Sequence, residues 1–264
     1  AFTRVLIAFF ARLGKGQPIL GAEDRGPTHH MHKQGTPTMG GIAILLAAFI
    51  GWLVPHVRDG LAFSDQALIM WLAIVVLAAF GFLDDYLKVR RQHNRGIFWK
   101  KKGWITFGIV VLLMWLLAAQ TNVSETMSFT RASVPGWEIS TPLWVVWTAL
   151  MMWATTNAVN VTDGLDGLAI FPIMVAAACF AIIAYLVGNA VFAGYLQIHH
   201  VPGAGELSVF CGAMVGACLG FLWFNAHPAK MFMGDTGSLA LGGCIAPLAI
   251  GCKQEIVLAL VGGV

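Results

Sequence analysis

The chain is short of charge. Asp, Glu, Lys and Arg make up only 11% of its 264 residues, against about 25% in soluble domains. So few charges cannot build a water-facing surface, and a bilayer is the solvent that tolerates the deficit. The net charge of +3 is also small. No basic run alternates with aromatics, so nothing here marks a nucleic-acid surface and none is expected as a partner. Cysteine is sparse and unpaired: Cys179, Cys211, Cys218, Cys244 and Cys252 lie in or beside apolar stretches and form no C-x-x-C. They read as small buried apolar residues, not as metal or redox groups. Phosphate-loop, zincin and nucleophile-elbow motifs are all missing, which sets aside Walker ATPases, zinc proteases and α/β-hydrolases.

What is present is apolar length. Hydrophobic residues make up 58% of the chain and the mean hydropathy is +0.76. Unalternating runs occupy 39–55, 66–83, 104–119, 142–156, 168–187, 206–224 and 238–251. A spanning helix needs about 20 such residues, and only helices or closed barrels satisfy the backbone in lipid. The runs do not alternate, so the fold class is all-α, a polytopic transmembrane helix bundle in one domain over 1–264. Partial runs at 1–13 and 255–264 read as remnants of two more helices, so the chain reads as cut at both ends.

Lys and Arg set the orientation. Loops 14–36, 86–103, 157–167 and 225–237, with Arg12 at their edge, hold twelve of the sixteen. The opposite loops hold Arg58, Arg131 and Lys253, and Arg4 stands apart. The richer side is expected to be cytoplasmic. Asp84, Asp85, Asp163, Asp166 and Asp235 all fall there, from three regions of the chain, which suggests one shared polar site.

Each region has its own chemistry. Asp84 and Asp85 end the apolar run Phe80-Gly81-Phe82-Leu83. Adjacent like charges oppose each other's ionisation unless a cation is near, and a helix C-terminus disfavours them. They read as a metal- or phosphate-handling pair, or as a solvated end paired with Lys88 or Arg90. Asn157, Asn160, Asp163 and Asp166 recur every third residue, a drifting polar stripe if helical. Gly164 and Gly167 admit a ligand closely; the bland alternative is a polar cap and turn. Asp235, between Gly234 and Thr236-Gly237-Ser238, precedes a helix whose free N–H groups suit an anion. Asp235 could hold a cation bridging to that anion, or Asp235 or Ser238 could simply be an N-cap. His29, His30 and His32 fit no closed zinc site and have no cysteine nearby. Lys33, Thr36 and Thr38 at a helix entrance read as phosphate contacts, or as a loop and cap. Oxygen ligands without cysteine suit Mg²⁺.

Four segments carry a resemblance: GPTHHMHKQGTPTMGG at 26–41, GFLDDYLKV at 81–89, NAVNVTDGLDGLA at 157–169 and FLWFNAHPAKMFMGDTGSLALGG at 221–243. In order and spacing they resemble the bacterial phospho-N-acetylmuramoyl-pentapeptide transferase family, within the polyprenyl-phosphate N-acetylhexosamine-1-phosphate transferases. The resemblance covers almost the whole chain. It implies about ten helices with both termini outside, seven of them complete here and two partial. It implies a bacterial cytoplasmic membrane and an active site facing the cytoplasm. The implied reaction moves phospho-N-acetylmuramoyl-pentapeptide from UDP to undecaprenyl phosphate, giving lipid I and UMP with Mg²⁺; membrane lipids are partners and a homodimer is compatible.

The resemblance also assigns roles. Asp235 would bind the metal. Asp84 would be base or nucleophile, with Asp85 beside it. Gly164, Leu165, Asp166 and Phe232 would hold the uridine. Lys33, Thr38, Asn160, Asp163 and Asn225 would line the phosphate path. Two departures stand out: the family has about one more helix at the start, and a histidine-rich cytoplasmic loop beyond the point reached by Val264. His30 matches a family position in the first loop, whereas His199 and His200 fall on the external side. Two rival functions remain. One is a sister transferase using UDP-N-acetylglucosamine. The other is a cation-coupled transporter, which would need acids near the midplane facing both sides.

Overall fold

The computed structural model describes residues 2–12, 36–91, 96–121, 123–127, 132–134 and 136–262. Helices α1 (Phe2–Arg12), α2 (Gly41–Asp59), α3 (Asp65–Arg91) and α4 (Trp99–Gln120) come first. A short antiparallel hairpin follows, β1 (Thr126–Met127) with β2 (Trp137–Glu138). Then come α5 (Thr141–Thr162), α6 (Ile170–Gly188), α7 (Ala190–Leu196), α8 (Ala204–Asn225), α9 (Gly234–Gly251) and α10 (Glu255–Gly262). The all-α bundle read from the apolar runs is the observed class.

Five helices, α2, α3, α4, α6 and α8, are long and apolar enough to cross a membrane. Seven complete spans were expected; α5 and α9 fall outside this group. Polar side chains explain α5, which carries Thr155, Thr156, Asn157 and Asn160 in its second half. For α9 the reason is position. Every residue from Thr236 to Gly251 is buried, so α9 meets protein on all sides and needs no lipid-facing side chains. It packs against α3, α5 and α2.

Small residues let these backbones meet, as is common where helices associate in lipid. A Cβ on Gly41 at the start of α2 would fall on the backbone of Gly237 in α9. On Gly81 of α3 it would fall on the carbonyl of Asp235. The segment before α2 is stitched to the one before α9. Phe232 donates its N–H to Pro37 (2.8 Å), Gly40 donates to Phe232 (2.9 Å) and Gly41 to Met233 (2.9 Å).

Because helices alternate in direction, one end of the bundle gathers the start of α2, the end of α3, the start of α4, the end of α5, the end of α8 and the start of α9. The opposite end is tied differently. Glu206 of α8 accepts from Trp52 Nε1 (3.2 Å) and the Ser64 N–H (2.5 Å), and pairs with His56 Nε2 at 2.8 Å. Lys253, between α9 and α10, donates to the carbonyls of Ser124 and Thr126, holding the hairpin down. Of the cysteines, four are buried as expected; Cys179 sits on the exposed face of α6.

Candidate active site

Asp84 and Asp235, 151 positions apart in sequence, are drawn to the same two ammonium groups. Lys88 Nζ lies 2.8 Å from Asp84 Oδ2 and 2.5 Å from Asp235 Oδ2. Lys102 Nζ lies 2.7 Å from the same Asp235 oxygen and 3.5 Å from Asp84 Oδ2. Helix geometry explains the first lysine: Lys88 is one turn beyond Asp84 on α3, so both share a face. Lys102 arrives from the first turn of α4. The backbone leading into α4 closes over Asp84, whose Oδ1 accepts the Ile97 N–H at 2.5 Å. A Cβ on Gly96 would collide with that carboxylate. Asp84 is 1% exposed, so charged partners are what make its burial tolerable.

Asp85 faces elsewhere. Its carboxylate accepts the N–H of Asp235 (3.1 Å), the N–H of Thr236 (2.9 Å) and the Thr236 hydroxyl (2.8 Å). These are orphan donors of the first turn of α9. The N-cap considered for Asp235 or Ser238 is thus supplied by Asp85 from another helix. That frees Asp235 Oδ1 for Asn160 Nδ2 at 2.6 Å, and the same amide reaches Ser238 Oγ at 2.7 Å.

The stripe at 157–166 splits up. Asn157 donates to the Trp153 carbonyl of its own helix (2.7 Å) and takes no part in the cluster. Asn160 points to Asp235. Asp163 follows the last turn of α5, and burial, then the charges of Asp235 and Asp85, push its carboxyl up to about 8. Asp166 lies past the turn, where Oδ2 accepts the Ala229 N–H (3.1 Å) and pairs with His227 Nδ1 (3.2 Å). Gly164 and Leu165 between them are exposed. Asp84 and Asp235 are joined through their shared lysines and Asp85 to the start of α9 by hydrogen bonds; Asp163 lies near enough to be shifted by the charges of Asp235 and Asp85, and Asp166 is tied to the 227–229 loop.

Asn225 is buried, and its amide bonds the backbone at both ends. Gly167 N donates to Oδ1 (3.0 Å), and Nδ2 donates to the Met231 carbonyl (2.9 Å). It therefore positions the 226–233 loop against the 163–169 turn. Phe232 sits in that loop, half-buried. Thr38 is buried, its hydroxyl has no hydrogen-bond partner among the described residues, and a Cβ on Gly234 would meet it at 2.8 Å. Lys33 and His29, His30 and His32 lie outside the described residues. His199 and His200 fall at the opposite end from the aspartates.

Two participants went unread in the sequence. Lys102 was one charge among many in a basic loop, yet its place two residues before an apolar run was a usable signal. The Gly96–Ile97 backbone gave none. Two family models match this chain: one described as glycosyl transferase family 4, over residues 67–253, and one described as phospho-N-acetylmuramoyl-pentapeptide-transferase signature 1, over residues 33–45. The first contains all five aspartates; the second contains Thr38.

Proposed function

The chain belongs to glycosyl transferase family 4 and is a multi-pass membrane glycosyl-1-phosphate transferase of the kind that acts on polyprenyl phosphate. From that premise we propose that it moves phospho-N-acetylmuramoyl-pentapeptide from its UDP carrier to undecaprenyl phosphate, at the cytoplasmic face of a bacterial membrane. One observation carries this reading. Asp84 and Asp235 converge with Lys88 and Lys102 at one end of the bundle, the end at which this reading brings an aqueous nucleotide and a lipid headgroup together.

Mg²⁺ is the cofactor this reading implies, and the donors suit it. They are oxygens, and Mg²⁺ binds through one or two carboxylates plus substrate phosphates. Among the described residues no group of three or more His, Cys, Asp or Glu could form a closed metal cage. Asp235 would hold the ion, with Asp84 in reach. The ion supplies neutralisation of the diphosphate charge.

The chain's own groups do the rest. Lys88 and Lys102 offer point charges to the transferred phosphoryl and the leaving UMP. Asp85 and Asn160 fix the Asp235 side chain, and the Thr38 hydroxyl is free to meet a phosphate oxygen. Positioning of this kind is most of what phosphoryl transfer asks of a protein. Both Asp84 oxygens are engaged by Ile97 and the two lysines. That favours direct attack by the lipid phosphate over a phospho-Asp84 intermediate, and trapping phosphate on Asp84 would overturn the preference. Gly164, Leu165, Asp166 and Phe232 are proposed to hold the uridine.

Asp235→Asn should abolish turnover and metal-dependent nucleotide binding in a folded protein; full activity would refute the proposal. A radiolabel assay offering both UDP-N-acetylmuramoyl-pentapeptide and UDP-N-acetylglucosamine tests the sister reading, against which the match at 33–45 speaks. The transporter reading needs acids facing both ends, and the aspartate cluster lies at one.

A further inference from the structure

Between Asp166 and Glu206 the chain carries no Asp, Glu, Lys or Arg. That stretch includes α7, a helix of 7 residues, too short to cross a bilayer. Its surroundings are pinned to the bundle. Val201 donates its N–H to the Val187 carbonyl (2.9 Å), and a Cβ on Gly188 would fall on the backbone of Gly205, so the end of α6 touches the start of α8. Both helices are long and apolar enough to cross a membrane. Their junction therefore marks the bilayer surface at the end away from the aspartates. At 1.5 Å per residue α7 is only about 10 Å long, and it cannot carry its side chains far from that surface. Asn189 caps it, accepting from the N–H groups of Val191 (3.0 Å) and Phe192 (3.3 Å).

At about 100° per residue, Val191, Phe192, Tyr195 and Leu196 share one arc of roughly 140°. All four are exposed, Val191 by 77% and Tyr195 by 85%. The other arc holds only Ala190, Ala193 and Gly194, and Ala193 is the buried one. A helix bathed in water turns polar residues outward, whereas α7 turns out its largest apolar ones. The arc is continuous with the outer face of α6: the Phe192 ring lies 5.8 Å from Tyr185, and Tyr185, Ile182 and Val175 are exposed along that spanning helix. A stable protein interface takes about 800 Å² and roughly 20–30 residues from each partner, far more than four side chains offer. We infer that α7 is a membrane-surface anchor, lying in the interfacial layer of the leaflet at this end with its apolar arc reaching toward the acyl chains. Buried apolar area supplies the attachment, and a tyrosine at a membrane boundary suits that layer, its ring in the apolar part and its hydroxyl in the wet one.

The test reads where α7 lies, not turnover, so it stands or falls apart from the transferase proposal. Cys179→Ser removes the exposed thiol, the other four cysteines being buried. In that background Tyr195→Cys carries a fluorophore on the apolar arc, and Ala190→Cys carries it on the opposite one. The full chain is placed in phosphatidylcholine vesicles. Quenching by lipid with a nitroxide high on its acyl chain is compared with quenching by iodide on both sides of the membrane. At position 195 the nitroxide should quench severalfold more strongly than iodide, and at position 190 iodide should gain severalfold. Val191→Cys, on the same arc as Tyr195, should repeat the result at 195. Stronger quenching by iodide at 191 and 195 would place the arc in water and overturn the inference. Protection from both quenchers there would overturn it as well, since a protein would then cover the arc. Equal behaviour at 190 and 195 would remove the orientation on which it depends.

Discussion

Asp85 takes three donors from the first turn of α9, all of them buried or partly buried. Asp85→Ala strands them, at a cost on the order of 3 kcal/mol. In thermal unfolding of detergent-solubilised protein the midpoint should drop by about 5–10 °C, and Asp85→Asn, which keeps one acceptor, should drop it less. Equal midpoints for all three proteins would remove the capping role. Asp163 differs in kind, because its environment favours the neutral acid. Its carboxyl moves from the usual 3.8 to about 8, through burial and then the charges of Asp235 and Asp85. A raised value means that the stability of the neutral form is complete below about pH 4 and is lost as pH climbs through 8. Asparagine is neutral throughout. Without divalent ions, the midpoint of Asp163→Asn should therefore gain on the wild type from pH 5 to 8 and then level off, by this same linkage. A constant difference across the series would contradict the assignment.

Helices meet at the site through glycines, and the sharpest contact is Gly81 of α3 against the Asp235 carbonyl. Gly81→Ala overpacks that crossing by about 1–3 kcal/mol. If Asp235 moves by even about 1 Å, turnover should fall on the order of a hundredfold. Gly108→Ala, on an open face of α4, should change neither turnover nor helix content by circular dichroism, and a similar loss in both variants would rule out the packing explanation. At this scale much was legible. Apolar runs located every long helix, and the motif segments carried the aspartates. The boundaries were harder. The run at 104–119 becomes α4 from Trp99, because lysine is a good helix former and Lys102 has a buried partner. The run at 142–156 becomes α5 to Thr162, because Asn160 continues the helix toward Asp235. A hydropathy reading stops at such residues since it cannot see their partners. Nor could it separate Asp84 from Asp85. Their division of labour depends on which face of α3 meets α9, a contact about 150 residues away in sequence.

Taken whole, the bundle solves a charge problem. Alternating helices bring Asp84 and Asp235 together at one end, where each alone would be costly to bury. Lys88 from the next turn of α3 and Lys102 from α4 balance the pair with two positive charges. The fold thus carries its own counterions, and a catalytic metal need not also be a structural one. This separates two effects of chelation that coincide in proteins folded around their metal. EDTA should depress turnover by more than about a hundredfold, the scale of losing one electrostatic partner of the transition state. Added Mg²⁺ should restore it. The unfolding midpoint should stay within about 2 °C, less than 1 kcal/mol for a chain of this size. Lys88→Met with Lys102→Met reverses the dependence: two carboxylates then lack counterions, and Mg²⁺ should raise the midpoint in proportion to its occupancy. If chelation alone unfolds the wild-type protein, the lysines are not the counterions that hold this end of the bundle together.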